Sequence, residues 1–104
     1  MNIFVTDVDP RRAAQNLDDR RVIKMILESA QVLSTVIRGL TDDPPPELYK
    51  KTHANHPCTL WAGRSRGNFD WLIAHGLALS AVYTNAYGRT HKSHYLFSVF
   101  KKYR

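Results

Sequence analysis

Between Arg20 and Arg38, apolar residues recur at three- and four-residue steps, and that stretch constrains the fold more than any other part of the chain. Val22, Met25, Ile26, Ser29, Leu33 and Val36 fall on one side of a helix, and Ile23, Leu27, Ala30 and Ile37 widen the apolar surface. Asp18 or Asp19 can cap its start, and Gly39 supplies a stop. A second helical stretch is expected from about Asn68 to Gly88, carrying Phe69, Leu72, Ile73, Leu77, Leu79, Val82 and Tyr83. Shorter helices are expected from the Asp9-Pro10 start through Leu17, and from Ser93 to Phe100. Only Ile3-Phe4-Val5 is β-prone, as a strand or an extended arm. Thr41 to about Cys58, with Pro44-Pro45-Pro46, Asn55 and Pro57, is expected to be loop. The expected fold is therefore all-α: a compact small bundle with a short N-terminal extended segment and a long ordered loop between its two main helices. A loop of that length inside one small domain, residues 1–104, points to function or to hidden structure.

Composition narrows the class. The chain has 104 residues, 43% of them apolar and 23% charged, which excludes wholesale disorder. No apolar run approaches the roughly 20 residues of a membrane span, and no secretory signal opens the chain. One cysteine, Cys58, excludes an internal disulfide and fits a reducing cytoplasm. Fifteen Lys and Arg against nine Asp and Glu give a net charge of +6, which points to polyanionic partners, DNA or RNA first. The cations come in clusters: Arg11/Arg12, Arg20/Arg21, Lys50/Lys51, Arg64/Arg66, then Arg89, Lys92, Lys101, Lys102 and Arg104. Tryptophans and tyrosines interleave with them, as base stacking requires.

Three constellations carry candidate chemistry. The polar ridge of the first long helix is Arg20/Arg21, Lys24, Glu28, Gln31, Thr35 and Arg38. It reads either as a solvated face with a Lys24–Glu28 pair or as a carboxylate and an amine set for acid–base work beside a phosphodiester. The second is His53, Asn55, His56, Cys58 and Trp61: His53, His56 and Cys58, helped by His75, His91 or His94, read as metal ligands, Cys58 as a thiol nucleophile, or the His and Asn side chains as groups that fix helix ends and hold a substrate. The third is Asn68, Trp71 and His75 on one helical face, with Tyr87, Arg89, His91 and Lys92 around the following turn. That turn is a phosphate contact or a plain helix cap. No metal and no cofactor are expected.

Four segments carry a resemblance over most of the chain: residues 19–31 (Asp-Arg-Arg-Val-Ile-Lys-Met-Ile-Leu-Glu-Ser-Ala-Gln), 56–62 (His-Pro-Cys-Thr-Leu-Trp-Ala), 68–75 (Asn-Phe-Asp-Trp-Leu-Ile-Ala-His) and 87–93 (Tyr-Gly-Arg-Thr-His-Lys-Ser). They resemble small phage-borne pyrimidine-dimer DNA glycosylases and, distantly, the phage endonuclease V type. The resemblance implies a basic all-α DNA repair enzyme of the host cytoplasm. In its mechanism an N-terminal amine attacks the sugar carbon, the base leaves, and an imine permits strand cleavage at the abasic site. It also implies that Glu28 is the assisting glutamate, with Arg20, Arg21 and Lys24 in phosphate-holding or activating roles. The chain opens Met1-Asn2 where that enzyme type has a small second residue, which makes Lys24 the alternative amine. Gln31, Arg64, Arg66, Arg89 and Lys92 complete the expected DNA contacts. The rival readings are a non-catalytic nucleic-acid-binding module and a base- or nucleotide-modifying enzyme whose pocket is the His53/His56/His75 region.

Overall fold

The computed structural model describes residues 8–15 and 19–103. The expected arm at Ile3-Phe4-Val5, the helix end at Leu17 and the side chain of Arg20 lie outside that description. Five helices follow in order: α1 (Pro10–Gln15), α2 (Asp19–Leu40), α3 (Pro57–Arg64), α4 (Arg66–Tyr87) and α5 (His94–Phe100). Among the described residues there is no strand, so the fold is an all-α bundle. None of these helices is long and apolar enough to cross a membrane.

The two 22-residue helices α2 and α4 are the frame. Each is about 33 Å long at 1.5 Å per residue, close to the 38 Å longest extent of the molecule. They pack on each other; α1 lies on α4, and α3 and α5 each touch both. The apolar face of α2 buries Val22, Met25, Ile26, Ala30, Leu33, Val36 and Ile37, while Ile23 remains partly exposed. From α4 come Phe69, Leu72, Ile73, Leu79 and Tyr83, and α5 adds Leu96, Phe97 and Phe100. Phe97 and Phe100 meet edge to face, their centroids 5.5 Å apart. At Gly76 the missing side chain makes room for the Phe97 ring, and α5 can therefore seat on α4.

Local chemistry sets the helix ends. Asp9 accepts from the Arg11 amide at 2.9 Å and starts α1. Ser65 caps α4 by accepting from the Asn68 amide, and Gly88, at φ +69°, ends it in the left-handed conformation. Gly39, in contrast, does not stop α2, which continues through Leu40. A glycine with negative φ weakens a helix without breaking it, and the Thr41 amide still reaches the Ile37 carbonyl.

The expected loop is shorter than its sequence suggested, because α3 occupies 57–64. Pro57 stands at the first turn, where its missing N–H costs nothing, and the His56 Nδ1 accepts from the Cys58 amide at 3.1 Å. Residues 41–56 are tied to α2 by its polar side chains. The Arg38 guanidinium donates to the carbonyls of Tyr49 (2.7 Å) and Leu48 (2.9 Å). The Thr35 hydroxyl accepts from the Thr52 amide and donates to the Thr52 carbonyl, and Ser34 accepts from the Tyr49 amide. Leu48 is buried beneath this seam, and Tyr49 shares a 2.6 Å hydroxyl bond with Ser93 at the start of α5.

Candidate active site

The polar ridge of α2 divides into two parts. Thr35 and Arg38 are spent on holding residues 48–52. Arg21 and Lys24 remain exposed, with Glu28 and Gln31 half-buried between the two ends. Lys24 and Glu28 form no ion pair, so the helix-stabilising reading of that spacing does not describe the structure. Glu28 instead turns its Oε2 into a buried position with no hydrogen-bond partner among the described residues. Burying such an oxygen unpaired costs about 1–3 kcal/mol or more, so its retention calls for a specific explanation. Strain and unmet polar demand of this kind concentrate where a protein does chemistry.

Trp61, Trp71 and His75 form one cluster. The two indoles meet edge to face at 5.8 Å, and the His75 ring stacks on Trp71 at 4.7 Å. Both α4 side chains hold the segment that enters α1: Trp71 Nε1 donates to the Val8 carbonyl at 2.9 Å, and His75 Nδ1 donates to the Pro10 carbonyl at 3.0 Å. That bond fixes the tautomer, leaving Nε2 as a bare acceptor, buried and unpartnered. Burial pushes the imidazole below its ordinary value of 6.5, opposed in part by the Pro10 carbonyl. His91 is lowered in the same direction, first by burial and then by the charge of Lys92. The unfolded chain therefore takes up protons near pH 6.5 that the folded histidines refuse, so stability is full above that pH and falls as the pH drops toward the folded values. His75→Asn keeps a donor for Pro10 but cannot titrate. Its melting temperature should fall less than that of the unmodified protein between pH 7.5 and pH 5, as thermal melts at the two pH values would show; equal losses would contradict the assignment.

The remaining candidates do not gather into one pocket. His53 is exposed at φ +49°, with its Nδ1 bonded to the Thr52 hydroxyl, and Asn55 is exposed beside it. His56 serves as the α3 cap. Asn68 donates to the Trp61 carbonyl at 2.8 Å and so joins α3 to α4. Tyr87 and His91 pack with Tyr83, at 4.9 and 5.2 Å, about 24 Å along α4 from Trp71. The turn after α4 is held by His91 Nδ1 accepting from the Ser93 amide. Among the described residues no three His, Cys, Asp or Glu side chains converge as a metal ion would need.

Of the expected DNA contacts, Arg64 and Arg66 flank the α3–α4 junction, and Arg66 makes an exposed pair with Asp70 at 3.6 Å. Arg89 and Lys92 are exposed at the opposite end of α4. Sequence reasoning missed a groove of about 490 Å³ between α2 and α3, whose lining includes Thr35, Gly39, Lys51, Thr59, Gly63 and Arg64. It was invisible without α3. Thr35 and Gly39 stand seven and eleven residues after Glu28, on the same ridge of α2, which places the groove about 10–16 Å along the helix from that carboxylate.

These features lie within residues 1–96, the span matched by the family model for pyrimidine dimer DNA glycosylases. No curated protein and no solved structure matches the chain. With the match running from Met1 across α1 to α4 and into α5, the chain belongs to the pyrimidine dimer DNA glycosylase family.

Proposed function

We propose that the protein excises dimerised pyrimidines from duplex DNA and then cleaves the strand at the resulting abasic site. The observation that carries this reading, beside family membership, is the buried, unpartnered Oε2 of Glu28 on a rigid helix flanked by exposed cations. An amine attacks C1′ of the damaged nucleotide; the C1′–N bond breaks, and its electron pair leaves with the base, which takes up a proton. The amine gives up a proton, O4′ takes one up as the C1′–O4′ bond breaks, and the sugar ring opens to an iminium. Loss of a C2′ proton then expels the 3′ phosphate by β-elimination, and water releases the amine. Glu28 stabilises the positive charge that develops at C1′ and accepts the C2′ proton. The amine is an α-amine, as the resemblance implies, or the side chain of Lys24 on α2. Lys24 is exposed four residues before Glu28, on the same ridge of α2. Arg21, Lys24, Arg64 and Arg66 hold phosphates, and Trp61 or Trp71 supports the displaced base.

The test is a labelled duplex carrying one cyclobutane pyrimidine dimer. Cleavage of the glycosidic bond, read as base release after photoreversal of the cyclobutane ring, and strand cleavage at the dimer are expected, both absent from the undamaged duplex. Binding with no base release after photoreversal and no strand cleavage would overturn the reading. DNA affinity should also fall by about a thousandfold between 50 and 200 mM salt if six phosphates are contacted, measurable by fluorescence anisotropy. A flat salt response would contradict the assigned cationic contacts.

A further inference from the structure

Resting on the reading of this chain as an enzyme acting on DNA, we infer that the groove between the C-terminal half of α2 and α3 is a nucleotide subsite. It takes one deoxynucleotide of the bound strand away from the reacting one, with the base against a glycine-lined floor and the phosphate between Lys51 and Arg64.

The floor is open because of two glycines. A side chain at Gly39 would meet nothing within 4 Å, and one at Gly63 would meet only the Val36 methyls at 3.6 and 3.7 Å. Glycine is a costly choice inside a helix where alanine fits. At both positions it leaves space that a flat ring can enter. The walls are aliphatic, from Val36, Leu40 and Leu60, as stacking and desolvation of a base require. Thr59 supplies polar recognition: it is 4% exposed, lines the groove, and its Oγ1 has no hydrogen-bond partner. Thr35 cannot do so, since its hydroxyl is already committed to Thr52. Lys51 and Arg64 are exposed on the rim and form no ion pair among the described residues, so both charges are open to a phosphate. At about 490 Å³ the groove has room for a single nucleotide. At 10–16 Å from Glu28 it lies close enough for both to sit under one strand.

Gly39→Leu fills the groove from a position with no neighbours to disturb, and Lys51→Ala removes one rim charge without touching the floor. Each should weaken duplex binding about tenfold, while the melting temperature stays within a few degrees of that of the unmodified protein. In the isotope-labelled protein, the amide signals of Gly39, Thr59 and Gly63 should move on titration with a short duplex. If base release occurs but those amides stay still and both variants bind normally, the subsite is refuted and the glycosylase reading stands. If the amides move and both variants bind weakly but no base is released, the subsite stands and the glycosylase reading falls. Shifts produced by free thymidine monophosphate but not by duplex would overturn the proposal in favour of a free-nucleotide site.

Discussion

Glu28→Gln is expected to slow strand cleavage at a pyrimidine dimer by at least about a hundredfold while the protein remains folded, because a positioned acid–base group contributes roughly 10²–10⁴ in rate. The two side chains have the same shape, so packing around the middle of α2 is undisturbed. The carboxylate oxygen at issue has no partner among the described residues, so the amide that replaces it breaks no bond there. Removing a half-buried carboxylate from the ridge that also carries Lys24 makes that face more cationic, and duplex affinity should stay level or rise. Single-turnover cleavage, melting and binding on the same preparation separate these effects. A rate within threefold of the unmodified protein would remove Glu28 from the chemistry. A rate lost together with the fold would show a structural role instead.

Gly76→Ala should be the most damaging small substitution in the described core. A methyl group there occupies the place of the Phe97 ring, and both residues are buried. Phe97 cannot swing aside freely, since Phe100 packs against its edge and is itself fully buried. Overpacking of this kind costs about 3 kcal/mol, which for a domain of this size lowers the melting temperature by about 15 °C. Phe97→Leu in the same chain should recover part of the loss by freeing space. A melting temperature within 3 °C of the unmodified protein would show that α5 seats on α4 in some other way.

The frame was legible in the sequence because its signals are long and redundant. Two 22-residue helices repeat their apolar pattern over about six turns each, and Asp9-Pro10 and Gly88 mark ends with side-chain and backbone chemistry that has few other uses. The shorter α3 repeats its pattern for only two turns. Its cap is a histidine, outside the usual set of Ser, Thr, Asp and Asn, so only Pro57 marked its start. Gly39 misled for the opposite reason: a stop signal works only where the chain turns left-handed, and here it stays helical.

The candidate site was legible in part. Glu28 emerged from the three- and four-residue ridge, and Trp71 with His75 from their four-residue spacing. Periodicity alone could not show that Thr35 and Arg38, on that same ridge, are consumed by residues 48–52, because those contacts are set by the path of the loop. The separation of Tyr87 from Trp71 was legible as well, since the helix expected from Asn68 to Gly88 already sets them about 24 Å apart.

Borohydride trapping on a duplex with a single abasic site tests the central claim most directly. Reduction of an imine should leave a covalent protein–DNA product, and peptide mapping then separates an α-amine from Lys24 as its site. No adduct, with salt-sensitive binding intact, would contradict amine catalysis altogether.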